Sequence, residues 1–444
     1  MAITETKTKY GQIHGVPKDG YTVFRGVPYA KPPVGEKRFC LPEEPECWEG
    51  VYEADHFECV CPQTEHEPDS FYGKEFYLDP EFGMNQSEDC LYLNIWTPAN
   101  AADEKLPVAF WIHGGAFMHG FSHESEFDGA AYCERGVILV TINYRLGAFG
   151  FLAHPWLSAE SGVGRSGNYA ILDQIAALKW VKENIAAFGG DPENITVFGQ
   201  SAGCMSVQTL VSSPLTENWI SKAIFQSAGG YDTGLNRDML LSEAETIGQE
   251  FVELSGAKSL EELRAIPAEQ IVELQEEFGR VNPSRMLSFV PNIDDYLLTC
   301  GYNEAVTERK IKDIPYMLGS TADDIGVFPE MKEKGEHGGI YKGCINWSLA
   351  LEKLGRKPAY VYYFTRALLG DDAGAFHSSE LWYMFGTLGR SWRPKTEGDY
   401  ALSKEMMDDW TNFMKNGNPN AEGKDDWKLC TKDDPYVQVL DVRE

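Results

Sequence analysis

The 444-residue chain has no apolar run long enough to cross a bilayer, which excludes a membrane-spanning helix. Its opening residues, MAITETKTKYGQIHG, lack the basic-then-apolar order of an export signal, so a cytoplasmic location is expected. Basic side chains are few: 39 Lys and Arg against 68 Asp and Glu give a formal charge of −29. That balance argues against nucleic acid or an anionic membrane as a partner and fits a highly soluble acidic surface. The ten cysteines form no paired doublets of a zinc site; Cys59 and Cys61 stand too close together and have no second pair. Free thiols are expected, with no metal and no cofactor. Repeats and low-complexity linkers are also missing, so one body over residues 1–444 is expected rather than a string of modules.

What is present suits a large core: 43% hydrophobic residues, with 11 Trp, 21 Tyr and 23 Phe. Apolar runs rich in β-branched residues alternate with helical periodicity, the pattern of a mostly parallel, doubly wound α/β sheet. LPVAFWIHGG, VILVTINYR, ITVFGQ, SKAIFQSAG, IPYMLGS and AYVYYFTRAL read as strands, and NYAILDQIAALKWVKENIAAFGG as a helix closed by glycines. Two insertions interrupt the alternation. One is a loop at about 61–90, rich in Glu, Asp, Phe and Tyr; the other is an acidic helical cap at about 235–285.

The strand ITVFGQ stops at Gly199-Gln200-Ser201-Ala202-Gly203. A glycine two residues either side of a serine permits a nucleophile elbow, a strained strand-to-helix turn that holds the hydroxyl at the carboxyl end of a central strand. A serine hydroxyl attacks only when a base takes its proton, and the base needs an acid to fix its tautomer. On such a fold the chain order is serine, acid, histidine. Downstream of Ser201 the histidines are His337, in the charged EKGEHGG, and His377, in GAFHSSELWYMFG after a strand. His377 is the expected base. The run WIHGGAFMHG offers Gly114, Gly115 and Ala116 as unobstructed backbone N–H donors for a developing oxyanion. His113 precedes the nucleophile and is expected to shape that loop, while His119 and His123 are expected at the surface or the pocket mouth.

These motifs resemble those of type-B carboxylesterases. The matching runs are FRGVPYAKPPVGEKRF (24–39), SEDCLYLNIWTP (87–98), WIHGGAF (111–117), VTINYRLGAFGFL (140–152), the run from Leu172 to Gly203, GAFHSSEL (374–381) and FMKNGNPN (413–420). They extend over nearly the whole chain. The resemblance implies an α/β-hydrolase fold with helical cap insertions and cleavage of carboxylic esters through an acyl-enzyme. It implies Ser201 as nucleophile, His377 as base, and the amides of Gly115, Ala116 and Ala202 as oxyanion hole. It further implies an Arg38–Glu88 ion pair. Cys61 and Cys90 match a pair bridged in secreted members but are expected here as thiols. The loop between them lines the gorge in relatives, so Phe71, Tyr72, Phe76, Tyr77 and Phe82 are candidates for the substrate side, together with Phe289, Phe328 and Phe385.

The chain departs from the family in three places. It is short between Phe328 and Lys357, and residues 65–89 contain no Trp, which argues against choline esters. Where relatives carry a glutamate followed by glycine, this chain reads TADDIGVF. Anchored on Gly319, Asp324 takes the glutamate's place; anchored on Gly326, the position is Ile325, which cannot orient an imidazole. Asp324 is the expected acid, with Asp323 structural. The expected substrates are small neutral esters of short-to-medium acyl or aryl type. The alternatives are a binding-only adhesion relative, or lipase, thioesterase or amidase activity. The oligomeric state is not legible from the residues.

Overall fold

The run Ile138–Ile142, ILVTI, is buried at every position, as is Lys222–Gln226. Strands covered on both faces need no polar alternation, which is why ILVTI and the Ala223–Phe225 centre of the second show none. The computed structural model describes residues 2–443. The first six strands are β1 (Glu5–Lys7), β2 (Gln12–Pro17), β3 (Thr22–Pro28), β4 (Val51–Ala54), β5 (Tyr92–Thr97) and β6 (Leu106–Ile112). The second six are β7 (Ile138–Ile142), β8 (Gly190–Gln200), β9 (Lys222–Gln226), β10 (Tyr316–Thr321), β11 (Tyr360–Phe364) and β12 (Gln438–Leu440). They make one sheet in the order β1-β2-β3-β5-β7-β6-β8-β9-β10-β11-β12, with β4 on β2.

From β7 to β12 every neighbouring pair is parallel, while β1, β2, β3 and β5 add an antiparallel margin. Successive side chains of a strand point to opposite faces, so each face collects its own core. On one face Phe110, Ile112 and Val197 meet Leu178, Trp180, Val207 and Trp347. On the other Trp111 and Phe198 meet Trp382, Trp410 and Phe413. The helix Tyr169–Asn184 runs on into a 3₁₀ turn that ends at left-handed Gly189, as the paired glycines suggest.

Both insertions are ordered. The stretch after Cys61 carries the short helix Phe71–Phe76, clamped by a buried ion pair between Glu75 and Arg393, 2.6 Å apart. The acidic segment forms the helices Leu241–Ser255, Leu260–Ala265 and Ala268–Val281. Arg38 ties it to the body, donating to the Arg264 carbonyl at 3.0 Å while its Nε donates to Glu88 at 2.6 Å. Cys61 and Cys90 are buried thiols, and Cys61 Sγ accepts from the Leu146 amide at 3.2 Å.

Candidate active site

Four loops leave the carboxyl ends of β6, β8, β10 and β11, and the parallel order brings those ends to one edge of the sheet. The loop after β8 is a single residue. Ser201 has φ 56° and ψ −125°, a strained conformation between the strand and the helix Ala202–Ser212. The flanking glycines are required by close approach. A Cβ on Gly203 would lie 2.0 Å from the Ile112 carbonyl oxygen, and one on Gly199 would lie 2.6 Å from the Gly203 backbone. The Ser201 amide donates to the Gln226 carbonyl at 2.9 Å, fixing the turn against β9.

Asp324 follows β10 and His377 follows β11. Asp324 is almost wholly buried, and its Oδ1 lies 2.6 Å from His377 Nδ1. Its remaining lone pairs accept from backbone amides, Ile325 at 2.8 Å and Thr321 at 3.0 Å. The carboxylate therefore holds one orientation, and Nδ1 of the imidazole carries the proton. Asp323 does different work: its Oδ2 accepts from the Ala375 amide at 2.8 Å and its own amide donates to the Ala375 carbonyl at 2.9 Å. It stitches the acid loop to the histidine loop.

His377 Nε2, left as an acceptor, lies 3.1 Å from Gln200 Nε2. The Gln200 amide thus occupies the lone pair that a nucleophile's proton would need. The loop after β6 lies against this point, since a Cβ on Gly114 would come within 3.2 Å of Ser201 Cβ. Ala116 is held at φ 56°. Among the described residues the amides of Gly115 and Ala116 have no hydrogen-bond partner. Ala202 opens its helix, where N–H groups have no intrahelical acceptor. His113 is buried behind them, stacked 4.4 Å from Tyr144, and burial pushes its imidazole down to about 3.

These groups border a cavity of about 240 Å³ lined by Ser201, His377, Gln200, Gly114, Gly115 and Ala116. Tyr72, Phe76 and Tyr77 from the first insertion also line it. The other aromatics named from the sequence do not. Phe289 is buried in the cap, 5.4 Å from Phe251, because a helical cap needs a core of its own. Phe385 sits beneath the pocket, packed on Trp111 at 5.0 Å. Phe328 is 61% exposed at the start of the helix Pro329–Glu333. Phe71 makes an edge-to-face contact with Phe376, 4.9 Å away, and Phe82 lies under the Arg390 guanidinium. His119 is half-buried in the cavity wall and His123 is buried against Phe57, so neither is a surface residue. His337 stacks on Tyr341 at 4.0 Å and does not line the cavity.

Sequence reasoning missed four polar residues. Gln200 was read only as the spacer of the pentapeptide. Glu124 and Glu126 line the cavity although acidic residues are rarely buried. Glu380, three residues beyond His377, is fully buried with neither carboxylate oxygen hydrogen-bonded. Burial, reinforced by the charge of Asp324, pushes Glu380 up to about 7. The only local signal was the position of Glu380 in GAFHSSEL; no spacing rule flags the others.

The profile of the Carboxylesterase family matches residues 3–343 and 339–443. The para-nitrobenzyl esterase of Bacillus subtilis is 32% identical over 481 residues, covering 98% of this chain and 94% of that protein. The fumonisin B1 esterase of Sphingopyxis macrogoltabida is 33% identical, covering 95% and 83%. A solved PNB esterase superposes with a TM-score of 0.86 at 30% identity, covering 99% of this chain and 96% of that one. A Geobacillus stearothermophilus carboxylesterase does so at 0.83 and 32%, with the same coverage. With an α/β-hydrolase sheet carrying these loops on one edge, the chain belongs to the carboxylesterase family and is a carboxylic ester hydrolase.

Proposed function

We propose that Ser201, His377 and Asp324 are the catalytic triad of this esterase and that the amides of Gly115, Ala116 and Ala202 are its oxyanion hole. The observation that carries the reading is the 2.6 Å His377–Asp324 contact in the same cavity wall as the strained Ser201. Substrate entry displaces the Gln200 amide from Nε2, and the Ser201 hydroxyl takes its place. Nε2 then removes the hydroxyl proton as Oγ bonds to the ester carbonyl carbon, and the carbonyl oxygen takes up the negative charge among the three amides. Collapse breaks the bond to the alkoxy oxygen, which leaves with the proton from Nε2. Water repeats the sequence on the acyl-enzyme and releases the acid.

The cavity suits short-to-medium acyl or aryl esters: it is small, and Tyr72, Phe76 and Phe127 give it apolar walls. Anionic esters are disfavoured, since among the described residues the walls carry carboxyl groups and no Lys or Arg. A cytoplasmic setting is in keeping with ten unbridged cysteines. The test is a series of 4-nitrophenyl and aryl esters of increasing acyl length, with Ser201→Ala as the blank. Activity should fall on the order of 10⁴-fold or more in the variant. Retention of more than about a hundredth would refute the serine mechanism, and a succinyl half-ester cleaved as well as its neutral analogue would refute the specificity.

A further inference from the structure

Beside the oxyanion loop two imidazoles share a wall of the cavity. His66, from the first insertion, and His119, from the loop after β6, both line it, with their ring centres 4.8 Å apart. His119 is fixed at backbone and ring. Its amide donates to the Gly115 carbonyl at 2.9 Å, and a Cβ on Gly115 would lie 2.2 Å from the His119 carbonyl oxygen. Its Nδ1 donates to the Thr64 carbonyl at 3.1 Å, which leaves Nε2 of the neutral ring as an acceptor. Glu276 of the cap, whose charge acts on this ring, is itself taken by the Thr64 hydroxyl at 2.6 Å. His66 stacks on Tyr77, 4.8 Å away and 18° from parallel. Among the described residues neither nitrogen of His66 has a hydrogen-bond partner, nor has Nε2 of His119. None of these three is among the sealed, unpartnered polar atoms of the interior, so all are open to a ligand. Burial pushes both imidazoles down, that of His66 to about 4, so both are neutral at pH 7.

We infer that His66 and His119 form a subsite for a hydroxyl group, so that the esters this enzyme takes best carry a free hydroxyl on their alcohol or acyl part. The inference rests on the esterase reading and specifies its substrate class. A hydroxyl donates and accepts through one atom, as the pair requires: its O–H meets the Nε2 lone pair of His119 while its oxygen takes the N–H of His66. With ring centres 4.8 Å apart, one oxygen at about 2.8 Å from each nitrogen can bridge them. A carboxylate has no proton to give Nε2 and meets no Lys or Arg among the described residues of the wall. Open nitrogens of this kind are hydrated in a free pocket, and a hydroxyl replaces that water bond for bond. A methyl group of the same size expels the water and returns nothing. Because His119 is bonded to Gly115, the hydroxyl is held in register with the oxyanion amides, so the gain extends to the transition state and is read in kcat/KM.

The probes are two pairs of neutral esters matched in size: 4-hydroxybutyl butyrate against pentyl butyrate, and ethyl 6-hydroxyhexanoate against ethyl heptanoate. In the wild type kcat/KM should favour the hydroxylated member by at least about fivefold in one pair, the lower end for two neutral hydrogen bonds. The pair that shows it tells which side of the ester bears the hydroxyl. His66→Phe keeps a ring to stack on Tyr77 and removes both nitrogens, so it should bring that ratio close to one. His66→Gln keeps a donor and an acceptor and should restore part of it. A smaller preference in both pairs, or one that survives His66→Phe, would overturn the subsite. If His66→Phe does not fold, the wild-type ratios decide. Hydrolysis without hydroxyl preference sinks the subsite and leaves the esterase standing; absence of hydrolysis of all four esters sinks the esterase reading, and calorimetric binding of the four then decides the subsite.

Discussion

Replacing Asp324 by Asn tests which of two adjacent aspartates orients the histidine. Asp324 accepts three hydrogen bonds: His377 Nδ1 and the Ile325 amide on Oδ1, and the Thr321 amide on Oδ2. An asparagine has one oxygen and one NH₂ to offer. With the oxygen toward His377, the NH₂ faces the Thr321 N–H, two donors in a buried site, at a cost of about 1–3 kcal/mol in stability. With the NH₂ toward His377, the imidazole must move its proton to Nε2, which can then accept no proton from a nucleophile. The wrong tautomer costs about 10⁴ in kcat, or about 5.5 kcal/mol of barrier. Asp323→Asn forfeits only an exposed pair with Lys332 and keeps an oxygen for the Ala375 amide. Surface pairs are worth up to about 1 kcal/mol, so turnover there should fall less than about tenfold. Single-turnover hydrolysis of 4-nitrophenyl butyrate by both variants, with circular dichroism melts alongside, makes the comparison. A nearly normal Asp324→Asn beside a crippled Asp323→Asn would show that the other carboxylate orients the base.

Glu380 gives a pH signature. Its folded-state value lies above the ordinary 4.5, near 7, so the folded protein holds a proton that the unfolded chain releases, and stability is lost as pH rises from about 4.5 through 7. The shift is worth about 3 kcal/mol, and Glu380→Gln should lose that much less than wild type between pH 5 and 8 in urea titrations. Parallel wild-type and variant curves would rule out a buried, proton-holding Glu380. Glu75→Ala strands the fully buried Arg393 with Asp371 as its remaining carboxylate, so unfolding free energy should drop by about 3 kcal/mol. Because that pair anchors the helix carrying Tyr72 and Phe76, KM should rise more than kcat falls; a loss under about 1 kcal/mol would mean the clamp contributes little.

The strand-to-helix turn at Ser201 was legible because its cause is local. Glycines two positions either side of one residue let strand and helix meet, and that is written in five consecutive letters. The parallel strands were legible for a similar reason, since burial on both faces forces apolar runs such as ILVTI. Local spacing could also place His377 after a strand, but it could not say what would reach its imidazole. That depended on packing 53 residues away for Asp324 and 177 for Gln200. The pocket wall was decided the same way. Phe76 and Phe289 look alike in a sequence, yet one belongs to a helix clamped over the cavity by Arg393 and the other to a cap that folds its aromatics on themselves. The charged members of the site were the least legible. A glutamate in a string reads as solvent-facing, and only the assembled loops withdraw Glu124, Glu126 and Glu380 from water and give them their proton-holding character. Sequence determined the turns and strands, whose energetics act within a few residues. Tertiary structure decided the partners, the walls and the charge states, because burial is a property of the whole packed chain.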